Sequence, residues 1–257
     1  MNTLFRKIRR SLIETGRIRR YTLYAIGEIA LVVVGILIAL QINSQNEYQK
    51  ERNVEILYLK EIKEELGIST NELKNDLNSH RKSMTKMIEV RDHILSKRPK
   101  NDSIAMSIYT ASRDFQAYPK TQSYENLKEL GMNILINKDL AGNIGYNYGA
   151  ILKRIIDRGD NTPKYDIELL LDPFIKKHLR IDESRSSDLA TGLNELDIRT
   201  YDWKIHNHND LLMDDEFLRD LKLGMQLRAH KMRSHNSGIS LFESTIQLID
   251  EELRRRE

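Results

Sequence analysis

Residues 21–43 read YTLYAIGEIALVVVGILIALQIN, and within them residues 29–40 (IALVVVGILIAL) carry no polar side chain. As a helix, residues 21–42 rise about 33 Å at ~1.5 Å per residue, enough to cross a hydrocarbon core of ~30 Å. The stretch predicts a single transmembrane helix over 21–43. A cleaved signal peptide fits less well. Its apolar core is shorter, roughly 7–15 residues, and a small-x-small site follows it, whereas IALQIN offers none.

Charge sets the expected orientation. The first 20 residues hold seven basic side chains (Arg6, Lys7, Arg9, Arg10, Arg17, Arg19, Arg20) against one acid, Glu14, a net of +6. The whole chain is +3, so residues 21–257 carry −3. Lys and Arg beside a membrane span favour the cytoplasmic side. Residues 1–20 are therefore expected as a basic cytoplasmic arm and residues 44–257 as an extracytoplasmic, periplasmic domain of an inner-membrane protein. Leu4, Phe5, Ile8 and Leu12 recur among the arginines at helical spacing. That pattern suits a short helix on anionic lipid, so the expected partner of the arm is the bilayer and not nucleic acid.

Beyond the anchor, some 210 residues remain with few aromatics, four prolines in the whole chain and no cysteine. Disulfides, iron–sulfur clusters and cysteine-based zinc sites are excluded. From residue 46 to 97 there is no proline and one glycine, Gly67. Leu59, Ile62, Leu66, Leu73, Leu77, Met84, Met87, Ile88, Ile94 and Leu95 make one stripe, interrupted by Ser69, Thr70, His80 and Arg81. Steps of three, four and seven predict one long helix, ended at Lys97-Arg98-Pro99 because a residue before proline leaves the helical region.

Shorter helices are expected next: from an Asp102 or Ser103 cap to about Phe115, from a Ser123 cap to Leu130 with Gly131 as the stop, and from Asn137 onwards. Thr162-Pro163 reads as a cap with proline in the first turn, and Asp172-Pro173 as a kink or restart near Leu171. Residues 182–213 look least regular, with Ser184, Ser186 and Ser187 near the start and Trp203 inside. From Leu218 the pattern sharpens. Leu218, Leu221, Met225, Arg228, Met232, His235, Ile239, Phe242, Ile246, Ile249 and Leu253 advance by three and four, the heptad of bundles and coiled coils.

The expected fold is all-α: an N-terminal transmembrane helix, then a helical bundle with two long antiparallel helices, 46–97 and about 215–256, and the short helices at the membrane-distal end. Arg228 and His235 fall on the seam as a polar layer that fixes register. Antiparallel pairing sets Arg228 near residue 78, with Asp76 or Glu72 as its expected partner. On that register Arg228→Leu would leave a folded protein, and Asp76→Leu would be worse.

YAIGEIALVVVGILIALQIN, preceded by FRKIRR and followed by Asn46-Glu47, resembles a family of bacterial single-pass membrane proteins known only as a domain of unknown function. Tyr124, Leu127, Lys128, Gly131, Leu135, Ile136, Asn137 and Leu140 are similar to that family's central pattern, and Phe217-Leu218 to the start of its last helix. Where relatives carry a tryptophan after the anchor, this chain has Ser44-Gln45. The resemblance implies an inner-membrane protein with a helical outer domain, and neither an activity nor a catalytic residue.

Several constellations remain. Glu28 lies inside the span, roughly 10 Å from Tyr21 by helical rise, where a charge is costly and is paired, snorkelling or functional. It shares a face with Gly35 and Ala39, a small-xxx-small pair that lets helices approach closely. This predicts a helix–helix contact; the alternatives are a Glu28 near the cytosolic edge that reaches the headgroups or stays protonated, and a proton-binding Glu28 in an ion-coupled membrane complex. His206 and His208 could supply nitrogens to a metal in an extracytoplasmic sensor or enzyme, but a zinc site needs three protein ligands and the spacing fits a surface loop better. His230 and His235, five apart, do not share a helix face well. Gly142, Gly145 and Gly149 lack the Lys-Ser/Thr ending of a phosphate loop, and no Gly-x-Ser-x-Gly elbow occurs. Acidic pairs such as Asp214-Asp215 read as helix-end or solvated charges. Neither a cofactor, a metal nor a catalytic residue is assigned. The expected role is a membrane-anchored, self-associating helical interaction or scaffold protein that binds an unidentified envelope protein, with homo-oligomers formed through the anchor.

Overall fold

The computed structural model describes residues 17–159, 165–188 and 199–255. The basic arm up to residue 16 and the Thr162-Pro163 cap lie outside the described residues. The chain divides into two compact units, Met1–Leu57 and Tyr58–Glu257. One helix, α1 (Arg17–Leu95), contributes to both.

In the first unit α1 is the described element. It contains one stretch long and apolar enough to cross a membrane. Leu31 is 75% exposed, and Val32, Val33, Val34, Ile36, Leu37, Ile38 and Leu40 are also exposed. Past the apolar stretch the helix turns polar on all sides. It is then held by contacts between neighbouring turns: Asn43 donates to Glu47, Arg52 pairs with Glu55, and the Arg52 guanidinium lies over the Tyr48 ring. Such local pairs sustain a helix that has no apolar stripe to bury.

The second unit is built on a helical hairpin. The rest of α1 runs antiparallel to α8 (Asp215–Arg254). The direction follows from its rungs: Lys63 with Asp250, Lys74 with Glu243, Asp76 with His235, and His80 with Arg228. Arg228, expected opposite residue 78, therefore lands within a turn of that position. α1 stops at Leu95 through a turn in which Lys97 adopts φ +43°. The Lys97 N–H bonds to the Ile94 carbonyl and the Arg98 N–H to the His93 carbonyl, the pairing that ends helices at a left-handed residue.

The short elements do not gather at one end of the hairpin as expected. Two apolar clusters lie along it. In one, Leu59, Ile62, Leu66 and Leu73 of α1 and Phe242 and Ile249 of α8 are covered by α3 (Gln122–Leu130), α4 (Lys138–Tyr146), a π-helical stretch (Asn147–Leu152) and α5 (Lys153–Gly159). In the other, Met87, Val90 and Ile94 meet Phe217 and Leu221 together with α2 (Ser103–Ser112) and α6 (Ile167–His178). The reason is the length of the stripe: two facing helices leave both flanks of Leu59–Leu73 open, and other apolar faces must close them.

Caps explain most of the boundaries. The Asn137 side chain accepts from the Leu140 N–H and opens α4 as expected. Gly131 ends α3 with φ +102°, where a side chain would be strained and a Cβ would fall 2.4 Å from Asn133 Oδ1. Three expectations are corrected. Asp102 makes no side-chain cap; Asn101 accepts from the Ser103 N–H instead. Ser123 lies inside α3, and its N–H bonds to Glu65. Pro173 does not restart the helix: α6 continues through it to His178, with Phe174 and His178 buried and Phe174 stacked on Phe217 at 5.1 Å.

The stretch expected to be irregular contains an antiparallel hairpin, β1 (Leu179–Asp188) and β2 (Arg199–Ile205). Leu179 pairs with Ile205 and Ile181 with Trp203, and the register shifts between Asp182 and Ser186. Its inner end is pinned by burial of Leu179 and Ile205 and by Trp203 stacked on Tyr109 at 5.1 Å.

Candidate functional site

Between the two apolar clusters the hairpin carries a polar layer. From α1 come Glu72, Asp76, His80 and Ser83; from α8 come Arg228, Lys231 and His235; from the segment after α2 come Asp114 and Phe115. Helical spacing places these groups. On α1 the polar residues replace apolar ones at positions 76, 80 and 83 of the stripe, and on α8 positions 228 and 235 do the same.

Arg228 is fully buried, among the largest side chains to be so. It does not pair with Asp76 or Glu72. Its NH1 donates to His80 Nδ1 at 3.0 Å, and its NH2 to the carbonyls of Ala111 (3.2 Å) and Arg113 (2.6 Å). Its Nε approaches Met87 Sδ at 3.4 Å, and the guanidinium lies over the Phe115 ring. The frayed end of α2 supplies acceptors that the sequence pattern gave no reason to place there. Burial lowers the Arg228 pKa to about 10, opposed by the nearby Asp114 carboxylate.

An arginine can only donate, so His80 Nδ1 must accept and the ring is neutral with its proton on Nε2. Burial first, and then the Arg228 charge, lower the His80 pKa to about 3. The ring meets Phe115 and His235 edge to face, at 5.4 and 5.3 Å between centroids. Beside it Lys231 pairs with Asp114, whose Oδ2 also accepts the Ile167 N–H. Ser83 donates to the Thr110 carbonyl. Asp76 faces His235 instead of Arg228, with Oδ2 3.9 Å from Nε2. Asp76 Oδ2, His80 Nε2 and His235 Nε2 are buried here without a hydrogen bond, as is Glu72 Oε2 one turn earlier on α1.

Two further polar nodes lie in the second unit, and the partners of neither were legible in the sequence. Glu65, buried on α1, accepts from Tyr148 Oη (2.7 Å) and the Ser123 N–H (2.8 Å); burial and this carboxylate raise the Tyr148 pKa. Asp214, read from the sequence as a helix-end or solvated charge, is a helix-end charge. It caps α8 by accepting the Phe217 N–H, and accepts from Lys177 and His178 as well. Burial pushes its pKa up, yet the Lys177 ammonium, the Phe217 N–H and His178 together hold it at about 2.

His206 is exposed, whereas His208, at the start of α7 (His208–Leu212), meets His93, 115 residues away. With Nε2 atoms 2.9 Å and centroids 5.2 Å apart, the rings meet tip to tip, the geometry of one shared N–H. Burial, the His208 charge and Arg98 lower the His93 pKa. Among the described residues no three His, Asp or Glu side chains converge as a metal-ligand set. A cleft of about 390 Å³ beside Asp114 is lined by Asp166, Glu168 and Asp172. Glu168 and Asp172 are paired with Arg113 and Lys176, and Asp166 caps α6.

In the first unit, Glu28, Gly35 and Ala39 all lie on exposed helix, and a Cβ added at Gly35 would meet nothing within 4 Å.

Searches among curated proteins and among solved structures return no match. A family of unknown function (DUF6090) matches residues 28–169, more than half of the chain, from Glu28 through the polar stripe of α1 to the first turn of α6, and the chain belongs to that family.

Proposed function

We propose that this protein is a membrane-anchored, self-associating helical interaction protein of the bacterial cell envelope. In this reading residues 1–20 stay in the cytoplasm at the lipid surface, residues 21–43 span the inner membrane, and residues 44–257 form a periplasmic domain that docks another envelope protein. One observation carries the self-association: Glu28, Gly35 and Ala39 share one face of an apolar helix that is exposed along its length. Small residues let a second backbone come close, and a hydrogen bond from a partner helix would satisfy Glu28 inside the bilayer. The basic arm supports the orientation.

Sedimentation and crosslinking of the detergent-solubilised protein test the contact. Wild type is expected as a dimer or larger oligomer and Gly35→Leu as a monomer. A monomeric wild type, or an unchanged Gly35→Leu oligomer, overturns self-association. Protease added outside spheroplasts tests orientation, with cleavage expected beyond residue 44. Crosslinking in native membranes followed by a pull-down identifies the docked protein.

A further inference from the structure

The face that carries Glu28, Gly35 and Ala39 does not end with the apolar stretch. Advancing by three and four along α1, it runs on through Ile42, Asn46, Gln49 and Asn53, all exposed. Ile56 keeps the spacing but is half-buried, so the open part of the face ends at Asn53. Residues 42–53 hold four charged side chains, Glu47, Lys50, Glu51 and Arg52, and none takes a position of this series. The series carries one isoleucine and three carboxamides instead. The contacts that the helix makes with itself lie elsewhere: Asn43 with Glu47, and Arg52 with Glu55 and the Tyr48 ring.

Solvation alone sets no such periodicity, since every face of a solvated helix accepts charge equally. A seam between helices does, because a charge on it would be desolvated opposite its own kind. The carboxamide also says what fits the seam. It bears donors and an acceptor together, so it can pair with an identical group across a twofold axis, which a lysine or a glutamate cannot do. A second copy that spans the same membrane in the same sense brings identical residues level, Asn46 with Asn46, Gln49 with Gln49 and Asn53 with Asn53. A different partner would give no reason for self-complementary residues at three successive positions. Amides on such a seam add little affinity; they fix register and orientation.

We propose that residues 42–53 form a parallel, in-register seam with a second copy of the chain, aligned by Asn46, Gln49 and Asn53. The inference rests on the self-associating reading above and adds the register of the contact. Affinity comes from the apolar face at Gly35 and Ala39. The amides carry its alignment roughly 16 Å further along the helix at ~1.5 Å per residue.

The chain has no cysteine, so a single introduced cysteine reports only its own contact. Single variants of the full chain are oxidised in native membranes, and the dimer is read on a non-reducing gel. Seam positions bring two Cα atoms within about 6–7 Å, the reach of a disulfide, and far-side positions of paired helices do not. Asn46→Cys, Gln49→Cys and Asn53→Cys are expected to give roughly fivefold or more dimer than Ser44→Cys and Glu51→Cys on the far side. Adding Asn53→Lys to Gln49→Cys sets like charges opposite each other and is expected to lower the dimer yield roughly tenfold. Equal yields at all five positions, stronger crosslinking at Ser44→Cys or Glu51→Cys, an unchanged yield with Asn53→Lys, or a disulfide to another protein in place of the dimer each overturn the seam. Sedimentation of the wild type separates this failure from that of the wider reading. An oligomer without seam crosslinks keeps self-association and removes the seam, whereas a monomer removes both.

Discussion

The two units invert each other's surface logic. In the first, Leu31, Val34, Leu37 and Leu40 stand exposed around a helix. In the second, Arg228, Lys231, His80 and His235 are buried between helices. A hydrocarbon surroundings accepts apolar side chains but leaves a polar group without a partner. A packed protein interior can do the opposite, because it brings its own carbonyls, carboxylates and rings to fixed positions. The comparison teaches that the long polar-interrupted stripe of α1 is no weaker version of the apolar stretch before it. Under the proposed function each segment is matched to a different environment, although both belong to one helix.

The sharpest way to break that contrast is to put charge into the apolar segment. Val32→Arg combined with Ile36→Arg should cost about 3 kcal/mol per residue at the centre of a span. The expected outcome is loss of the chain from the membrane fraction on carbonate extraction. The reverse exchange, an apolar residue in the polar layer, comes next. Arg228→Leu strands the carbonyls of Ala111 and Arg113 and one face of His80. A loss of about 3–5 kcal/mol in urea unfolding is expected. That reverses the expectation drawn from the sequence, in which Arg228→Leu was the mild change, because the partners are two backbone carbonyls and the His80 ring and not a carboxylate of the stripe.

Packing beside the layer is tested by Gly238→Val. A Cβ there would come 2.7 Å from Ile155 Cδ1 and 3.2 Å from Leu73 Cδ1. Crowding is expected to cost about 1–3 kcal/mol by the same unfolding assay. Asp214→Ala should cost roughly 1–2 kcal/mol through the lost cap. The contribution of Asp214 also carries a pH signature, because its pKa is depressed to about 2 from 3.8. Stability from this group is fully present above pH ~3.8 and drains as the pH falls through ~2, so acid unfolding of Asp214→Ala should be shallower in that window. The smallest effect belongs to Lys74→Ala. Its ion pair with Glu243 is half exposed on both sides, and a change of at most about 1 kcal/mol is expected.

The sequence by itself determined the apolar helix, the helical class and the antiparallel hairpin. Each rests on periodicity, which a helix imposes on any residues along one face. It also marked the layer, since His80 broke one stripe and Arg228 and His235 the other. It did not name the partners. The pairing of Arg228 with carbonyls after α2, of Asp76 with His235, and of His93 with His208 joins residues of separate elements, and no local spacing encodes it. The β1–β2 hairpin escaped for a related reason. Only Leu179 and Ile205 of its inner end are buried, too few for alternation to show, and burial against α2 and α6 made those strands. What tertiary structure decided was which acceptor each buried donor would meet. That choice depends on distances across the fold that appear only once the two helices lie side by side.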